Sequence, residues 1–479
     1  LASTATKMRL PLILLLSTVY VHGASTYDRS QFEKDIASYL NVDEFHKDME
    51  IVNQQLSEEL ESEQAEVQQL LSSVSPINPV NAKAEEKFEA VNKNIRRDLF
   101  QGDIVLSNEQ LAAIMGNSNS TDRSKRQASI VRYPANIWGT APIPFSFAPG
   151  VSEDIKAIFR EAARFWSTNT CARFQENAQG TARILVVNKD GCYSDIGKTG
   201  RTQELSLMNN GCGTLSIAAH ELEHALGVYH EQSRYDRDQY LYVNKANVDP
   251  SMLYNFDKET QQTTDNMNIP YEFGSNMQYA SNSFATNYEQ ATMVARPGYT
   301  EFQDNMGGHQ PSFYDVLLVN KFYKCDQRCA GRQNFCQNGG YLNVNTCTTC
   351  VCPEGWGGRD CTQKPDGCSY ELAATPYYQA KSITVGGQQK TIAFRSCTYV
   401  LTAPAGKRIE VKFDGLWGGW GQGCQSGGVE LKTKTDLRPR GQRFCGVKPT
   451  KSVWSDGNRM PMIFFENDSQ IRADIQFRY

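Results

Sequence analysis

No charge of one sign prevails in this 479-residue sequence: 49 Lys and Arg stand against 53 Asp and Glu, a formal net charge of -4. That balance offers no basic excess to a phosphate backbone, so nucleic acid is set aside as a partner. Long hydrophobic runs are missing too. The longest aliphatic stretch, Leu12 to Leu16 extended by Leu10 and Pro11, is far short of the ~20 apolar residues that cross a bilayer, and no membrane span is expected. Cysteine is absent before Cys171, and from Ala24 to Gln101 glycine is absent as well. All 14 cysteines are therefore confined to the later part of the chain, where their number points to an oxidising compartment. Histidine is scarce, six in all, which makes any clustering informative.

The length predicts two to four domains. Met8-Arg9, the apolar segment Leu10 to Val21 and Val21-His22-Gly23 read as a start codon and signal peptide, giving a leader at residues 1–23 and a secreted, extracellular product. From Ala24 onward, Ile36, Leu40, Met49, Val52, Leu56 and Leu60 recur at near-helical spacing among charged residues, and amphipathic helices are expected. Gly102 through Ser124 reads as loop, closed by the basic cluster Arg123-Ser124-Lys125-Arg126, a candidate processing site between Arg126 and Gln127. Globular patterning begins just beyond it. Ser152 is placed to cap a helix with Ile155, Ile158, Phe159, Ala162, Phe165 and Trp166 on one face; Arg183 to Val187 reads as a buried strand, and Thr214 to Leu226 as a helix stopped by Gly227.

Six cysteines, Cys329 to Cys361, crowd into 33 residues with Gly339-Gly340 and Cys352-Pro353-Glu354-Gly355-Trp356-Gly357-Gly358. So small a unit needs crosslinks, and it resembles an EGF-like module, a zinc knuckle being the competing reading. The residues before Cys329, Asp326-Gln327-Arg328, are not an acidic cluster, so no calcium is expected there. Cys368, Cys397, Cys424 and Cys445 are spread among alternating segments such as Arg408 to Phe413 and Met462 to Phe465, the pattern of an all-β sandwich. With Phe444-Cys445-Gly446 and Phe477-Arg478-Tyr479, this part resembles a CUB domain, which implies a matrix protein partner.

His220, His224 and His230 fall within eleven residues. In His220-Glu221-Leu222-Glu223-His224 the two imidazoles lie about 400° apart around a helix and about 6 Å apart along it, so they share a face and can grip one ion. Glu221 is displaced around the helix, where it reaches a water rather than the metal. Gly227 permits a sharp turn that brings His230 back as third ligand. Three imidazoles leave a zinc ion an open position, the arrangement of a catalytic rather than a structural site.

The string His220-Glu221-x-x-His224-x-x-Gly227-x-x-His230 is the metzincin pattern. With Glu231-Gln232-Ser233-Arg234-Tyr235-Asp236-Arg237-Asp238 and Ser275-Asn276-Met277-Gln278-Tyr279, residues Gln127 to Cys325 resemble the astacin metalloendopeptidases, and the whole domain order is similar to nematode astacins. The resemblance implies an α+β chain: a helical propeptide (24–126), a two-lobed metzincin catalytic domain (127–325), an EGF-like module (326–363) and an all-β CUB sandwich (368–479). It implies one zinc ion per chain, Glu221 as general base, Tyr279 as oxyanion donor and Met277 in the turn beneath the metal. Disulfides Cys171–Cys325 and Cys192–Cys212 are implied likewise. Phe100-Gln101-Gly102-Asp103 matches the family's Phe-x-Gly-Asp, which implies that Asp103 occupies the metal in a latent zymogen. The segment Met306 to Gln310, where many astacins carry an arginine selecting acidic residues, has none; His309 is a weak substitute, and no acidic preference is carried over. Asn119-Ser120-Thr121 and Asn467-Asp468-Ser469 permit N-glycans. The expected activity is hydrolysis of extracellular or cuticle matrix proteins. The alternative is a non-catalytic secreted binding protein with a scaffold protease domain.

Overall fold

A computed structural model describes residues 29–71, 87–115, 136–139, 141–261, 263–308, 310–387, 391–467 and 470–479. The leader, Asn119, Arg126, Gln127 and His309 lie outside the described residues. The leading segment forms helices α1 (Arg29–Ile36), α2 (Val42–Leu60), α3 (Gln64–Leu71) and α4 (Lys87–Val91). Asn41 caps α2 by accepting from the Glu44 N–H. The helically spaced apolar residues, Ile36 through Leu60, are all buried, in one cluster with Met252, Leu253, Tyr254 and Phe256.

Where the sequence reads as loop after Gly102, strand β1 (Ile104–Val105) and helix α5 (Asn108–Met115) form instead. The cause is local. Ser107 and Gln110 exchange backbone-to-side-chain hydrogen bonds at the helix start, and Leu111 and Met115 enter the same apolar cluster.

The catalytic-domain sheet is built from β2 (Ile143–Phe147), β3 (Phe174–Glu176), β4 (Arg183–Val187), β5 (Cys192–Asp195) and β6 (Thr202–Leu207), with β1 added at its edge in the order β1-β5-β6-β4-β2-β3. Strand β5 runs antiparallel to β6, and β1 lies parallel to β5 through Ile104↔Ser194 and Val105↔Asp195. A strand from the leading segment thus covers the edge beside the histidines.

Helix α6 (Glu153–Asn169) is capped by Ser152 and buries Ile155, Ile158, Phe159, Ala162 and Trp166, as the spacing predicts. Its Trp166 indole donates to the carbonyl of Ala219 in α7 (Leu215–Ala225) at 3.0 Å, tying the two helices together. Trp166→Ala is expected to cost about 3–5 kcal/mol through lost burial and the cavity left behind, measured as a lower thermal midpoint; an unchanged midpoint would contradict this packing.

Below the histidines the chain is mostly irregular, with a two-stranded ladder of β7 (Leu241–Val243) and β8 (Met293–Ala295) before α8 (Phe313–Phe322). Cys171 is bonded to Cys325 and Cys192 to Cys212. Beyond them, Cys329–Cys347, Cys336–Cys350 and Cys352–Cys361 staple a small unit around β9 (Tyr341–Leu342) and β10 (Cys350–Val351). A sandwich follows. One sheet holds β11 (Ser369–Ala373), β13 (Arg395–Thr402), β15 (Gly427–Leu431), β16 (Gln442–Phe444) and β18 (Arg459–Glu466). The other holds β12 (Gln379–Gly386), β14 (Glu410–Trp417), β17 (Val453–Trp454) and β19 (Gln470–Arg478), and Cys368–Cys397 and Cys424–Cys445 complete the pairing with no cysteine left free.

Among the described residues no helix is long and apolar enough to cross a membrane.

Candidate metal centre

Thr214 starts α7 by accepting from the Ile217 N–H, and the helix carries His220, Glu221 and His224 toward its end. Gly227 follows at φ +105, its N–H donating to the His224 carbonyl at 2.7 Å, and the chain doubles back to His230. The three rings gather with centroids 4.6, 4.7 and 5.1 Å apart.

Asp103 enters from the opposite side. Phe100 and Ile104 exchange two backbone hydrogen bonds of 2.9 Å, so Gln101-Gly102-Asp103 becomes the tip of a tight loop. Gln101 (φ +49) and Gly102 (φ +79) both adopt the left-handed region. A Cβ on Gly102 would lie 2.9 Å from the Phe284 ring, so glycine alone allows this approach. The Asp103 carboxylate then lies 2.9 Å from His220 Nε2, 3.3 Å from His224 Nε2 and 3.2 Å from His230 Nε2.

The other ring nitrogens decide what these four residues can hold. His220 Nδ1 donates to the Asn276 carbonyl at 2.7 Å and His224 Nδ1 to the Val228 carbonyl at 2.8 Å; His230 Nδ1 meets the Gln101 side-chain oxygen at 3.0 Å. A carbonyl oxygen only accepts, so each Nδ1 carries the proton and each Nε2 of the neutral ring presents a lone pair. Burial lowers the His224 pKa and pushes His230 down to about 3 despite Asp103, which keeps both rings neutral. Three lone pairs and a carboxylate then converge, their ligand atoms all within 4.8 Å of one another. Without a cation that arrangement is repulsive. The donor set, three imidazole nitrogens and a carboxylate oxygen, fits zinc.

Glu221 is fully buried beside the cluster, and neither carboxylate oxygen has a hydrogen-bond partner among the described residues. Burial, with the Asp103 charge adding to it, raises its pKa well above the usual carboxylate range. Tyr279 packs against His230 with the rings tilted by 54° and centroids 4.5 Å apart, and its hydroxyl donates to the Gln101 carbonyl at 2.5 Å. Met277 is buried in the turn whose carbonyls serve the cluster: Asn276 O holds His220, and Met277 O accepts the Glu231 N–H at 2.9 Å.

The profile of the Astacin peptidase family matches residues 130–324, and a CUB domain profile matches 368–479. Zinc metalloproteinase nas-31 of Caenorhabditis elegans is 38% identical over 390 residues, covering 79% of this chain and 63% of the relative. Zinc metalloproteinase nas-29 of the same organism is 33% identical over 416 residues, covering 81% of this chain and 77% of the relative. The chain belongs to the astacin family. This astacin spans less than two thirds of nas-31. Among solved structures, High choriolytic enzyme 1, a hatching enzyme zinc-protease from Oryzias latipes, is 35% identical, covering 39% of this chain and 94% of that one at a TM-score of 0.37.

Sequence reasoning missed several residues that the fold of this astacin brings in. Gln101 fills the variable position of Phe-x-Gly-Asp, yet it touches both His230 and Tyr279. Asn92 clamps the β5 edge, donating to the Cys192 carbonyl and accepting its N–H, both at 2.7 Å. Glu89 accepts the Phe284 N–H on the other side of the cleft. Neither Glu89 nor Asn92 belongs to a recognisable string, and no local signal marks them.

Proposed function

We propose that this astacin is a secreted zinc endopeptidase, synthesised latent, that hydrolyses peptide bonds of extracellular or cuticle matrix proteins. One zinc ion per chain is held by His220, His224 and His230, with Asp103 as the fourth ligand only before processing. The observation that carries this reading is the convergence of three Nε2 lone pairs beside the buried carboxylate of Glu221, which has no hydrogen-bond partner among the described residues. An inert binding scaffold has no use for either feature.

When bound, zinc supplies Lewis acidity, which acidifies a water and polarises a carbonyl. Glu221, buried beside the histidines with no hydrogen-bond partner among the described residues, accepts the proton of the attacking water and returns it to the leaving amine. Tyr279 gives its phenolic hydrogen to the oxygen that becomes negative, once its bond to Gln101 O is broken. Strand β5, freed of β1, offers its edge to the extended backbone of a substrate.

Processing between Arg126 and Gln127 removes Asp103, Gln101 and β1 together. Met277 supports the metal from below, and Asn119 and Asn467 are the acceptor positions for N-glycans. The C-terminal domain selects the target by binding a matrix protein. The decisive experiment measures zinc content and the hydrolysis of gelatin and casein by the processed protein, with sequencing of the new termini. About one zinc ion per chain and endoproteolytic products are expected. Metal-free, correctly folded protein that cuts neither substrate would sink the proposal and favour the binding scaffold.

A further inference from the structure

Three cations are buried in the C-terminal sandwich: Lys432, Arg440 and Arg443. Within the sandwich all three pair with Glu430, which lies 3.1 Å from Arg443, 3.5 Å from Lys432 and 3.7 Å from Arg440. The other two carboxylates come from outside. Glu354 of the small disulfide-stapled unit pairs with Arg440 and stands 3.3 Å from Lys432. Glu272, below the histidines, accepts the Arg440 backbone N–H at 2.9 Å. Buried cations left without carboxylates are costly, so Lys432 and Arg440 draw on Glu354 of the neighbouring unit as well as on Glu430.

The same junction reaches the cleft. The Arg440 guanidinium donates to the Pro311 carbonyl at 3.2 Å and to that of Gln310 at 3.4 Å. The Asn305 side chain donates to Gly441 O at 2.7 Å and accepts from Arg443 N at 3.1 Å. A Cβ on Gly423 would lie 2.2 Å from Gly307 O, so the backbones of the two domains meet directly. Glu272 extends the line inward. Its other oxygen accepts the Gly274 N–H at 2.9 Å, and its own N–H donates at 2.9 Å to Glu231, the residue after His230. The Glu231 N–H in turn donates to Met277 O at 2.9 Å.

We propose that Arg440 is a positioning residue of the peptidase site: locked by Glu354 and Glu430, it holds Glu272 and residues 310–311, and through Glu272 it fixes the loop 272–279 that supports His220 and Tyr279. The inference rests on the endopeptidase reading above. The C-terminal domain is then part of the catalytic framework as well as a targeting device.

The test uses the processed full-length chain. Arg440→Met is expected to lower kcat by about 10- to 100-fold, the scale of a small misplacement of catalytic groups, with KM within about threefold of wild type. Amides of 272–279 should exchange hydrogen faster. Lys434→Ala, which removes a partly exposed pair to Glu301 at the same junction, should change neither readout. A folded Arg440→Met protein with wild-type kcat and exchange overturns the proposal, as does an equal loss in Lys434→Ala.

Should Arg440→Met not fold, Glu354→Gln decides: a smaller fall in kcat with faster exchange supports the role, and wild-type behaviour overturns it. Exchange is read without substrate. Wild-type protein that hydrolyses nothing would therefore defeat the endopeptidase reading while leaving the exchange comparison in force.

Discussion

Glu221→Gln lowers kcat of the processed protein by about 10²- to 10⁴-fold, the usual contribution of a general acid-base, while zinc stays bound. The glutamine amide is nearly isosteric with the carboxylate but cannot accept a proton. Because neither oxygen of Glu221 has a hydrogen-bond partner among the described residues, the substitution breaks no hydrogen bond there. Replacing the buried carboxylate by a neutral amide also removes a desolvation cost, so thermal stability should hold or rise. Rates and zinc content measured together separate the possibilities. Loss of metal alongside loss of activity would assign Glu221 a structural part in the site, and full activity would assign it none.

Asp103→Ala frees activity in the uncleaved chain. Its carboxylate lies within 3.3 Å of all three Nε2 atoms, and truncating one partner of such a buried charged contact typically costs about 2–5 kcal/mol. At 1.4 kcal/mol per tenfold, cleavage of a peptide substrate by the unprocessed variant should rise at least about 30-fold over unprocessed wild type. It should remain below that of the processed protein, because Gln101 still occupies Tyr279, and Asn92 and Glu89 still bridge the cleft. A chain carrying Arg126→Ala as well excludes cleavage as the cause. If the double variant is as silent as wild type, Asp103 does not enforce latency.

The metal cluster was legible because its geometry is local. Two histidines four residues apart on a helix, followed by a glycine that turns the chain, determine most of a tridentate site before any tertiary contact is known. Asp103 could be singled out through the glycine beside it, whose missing side chain the approach to Phe284 requires. Helix α5 was missed because it is only eight residues long, too short to hold on its own; its stability comes from the cluster that Leu111, Ile114 and Met115 join. Arg440 lay furthest from view. It meets Glu272 across 168 residues of sequence, and nothing in either neighbourhood announces the contact. Paired charges between domains carry no periodicity, so only the assembled chain reveals them.

All seven crosslinks join cysteines at or beyond Cys171. On the latent-precursor reading proposed above, the inhibitory segment is therefore never stitched to the body it restrains. Once the connecting peptide is severed, its departure needs no reductant and is governed by an ordinary dissociation equilibrium. A released segment can return, and at sufficient concentration it would act as a reversible inhibitor in trans, silencing neighbouring enzyme molecules until it is diluted or digested.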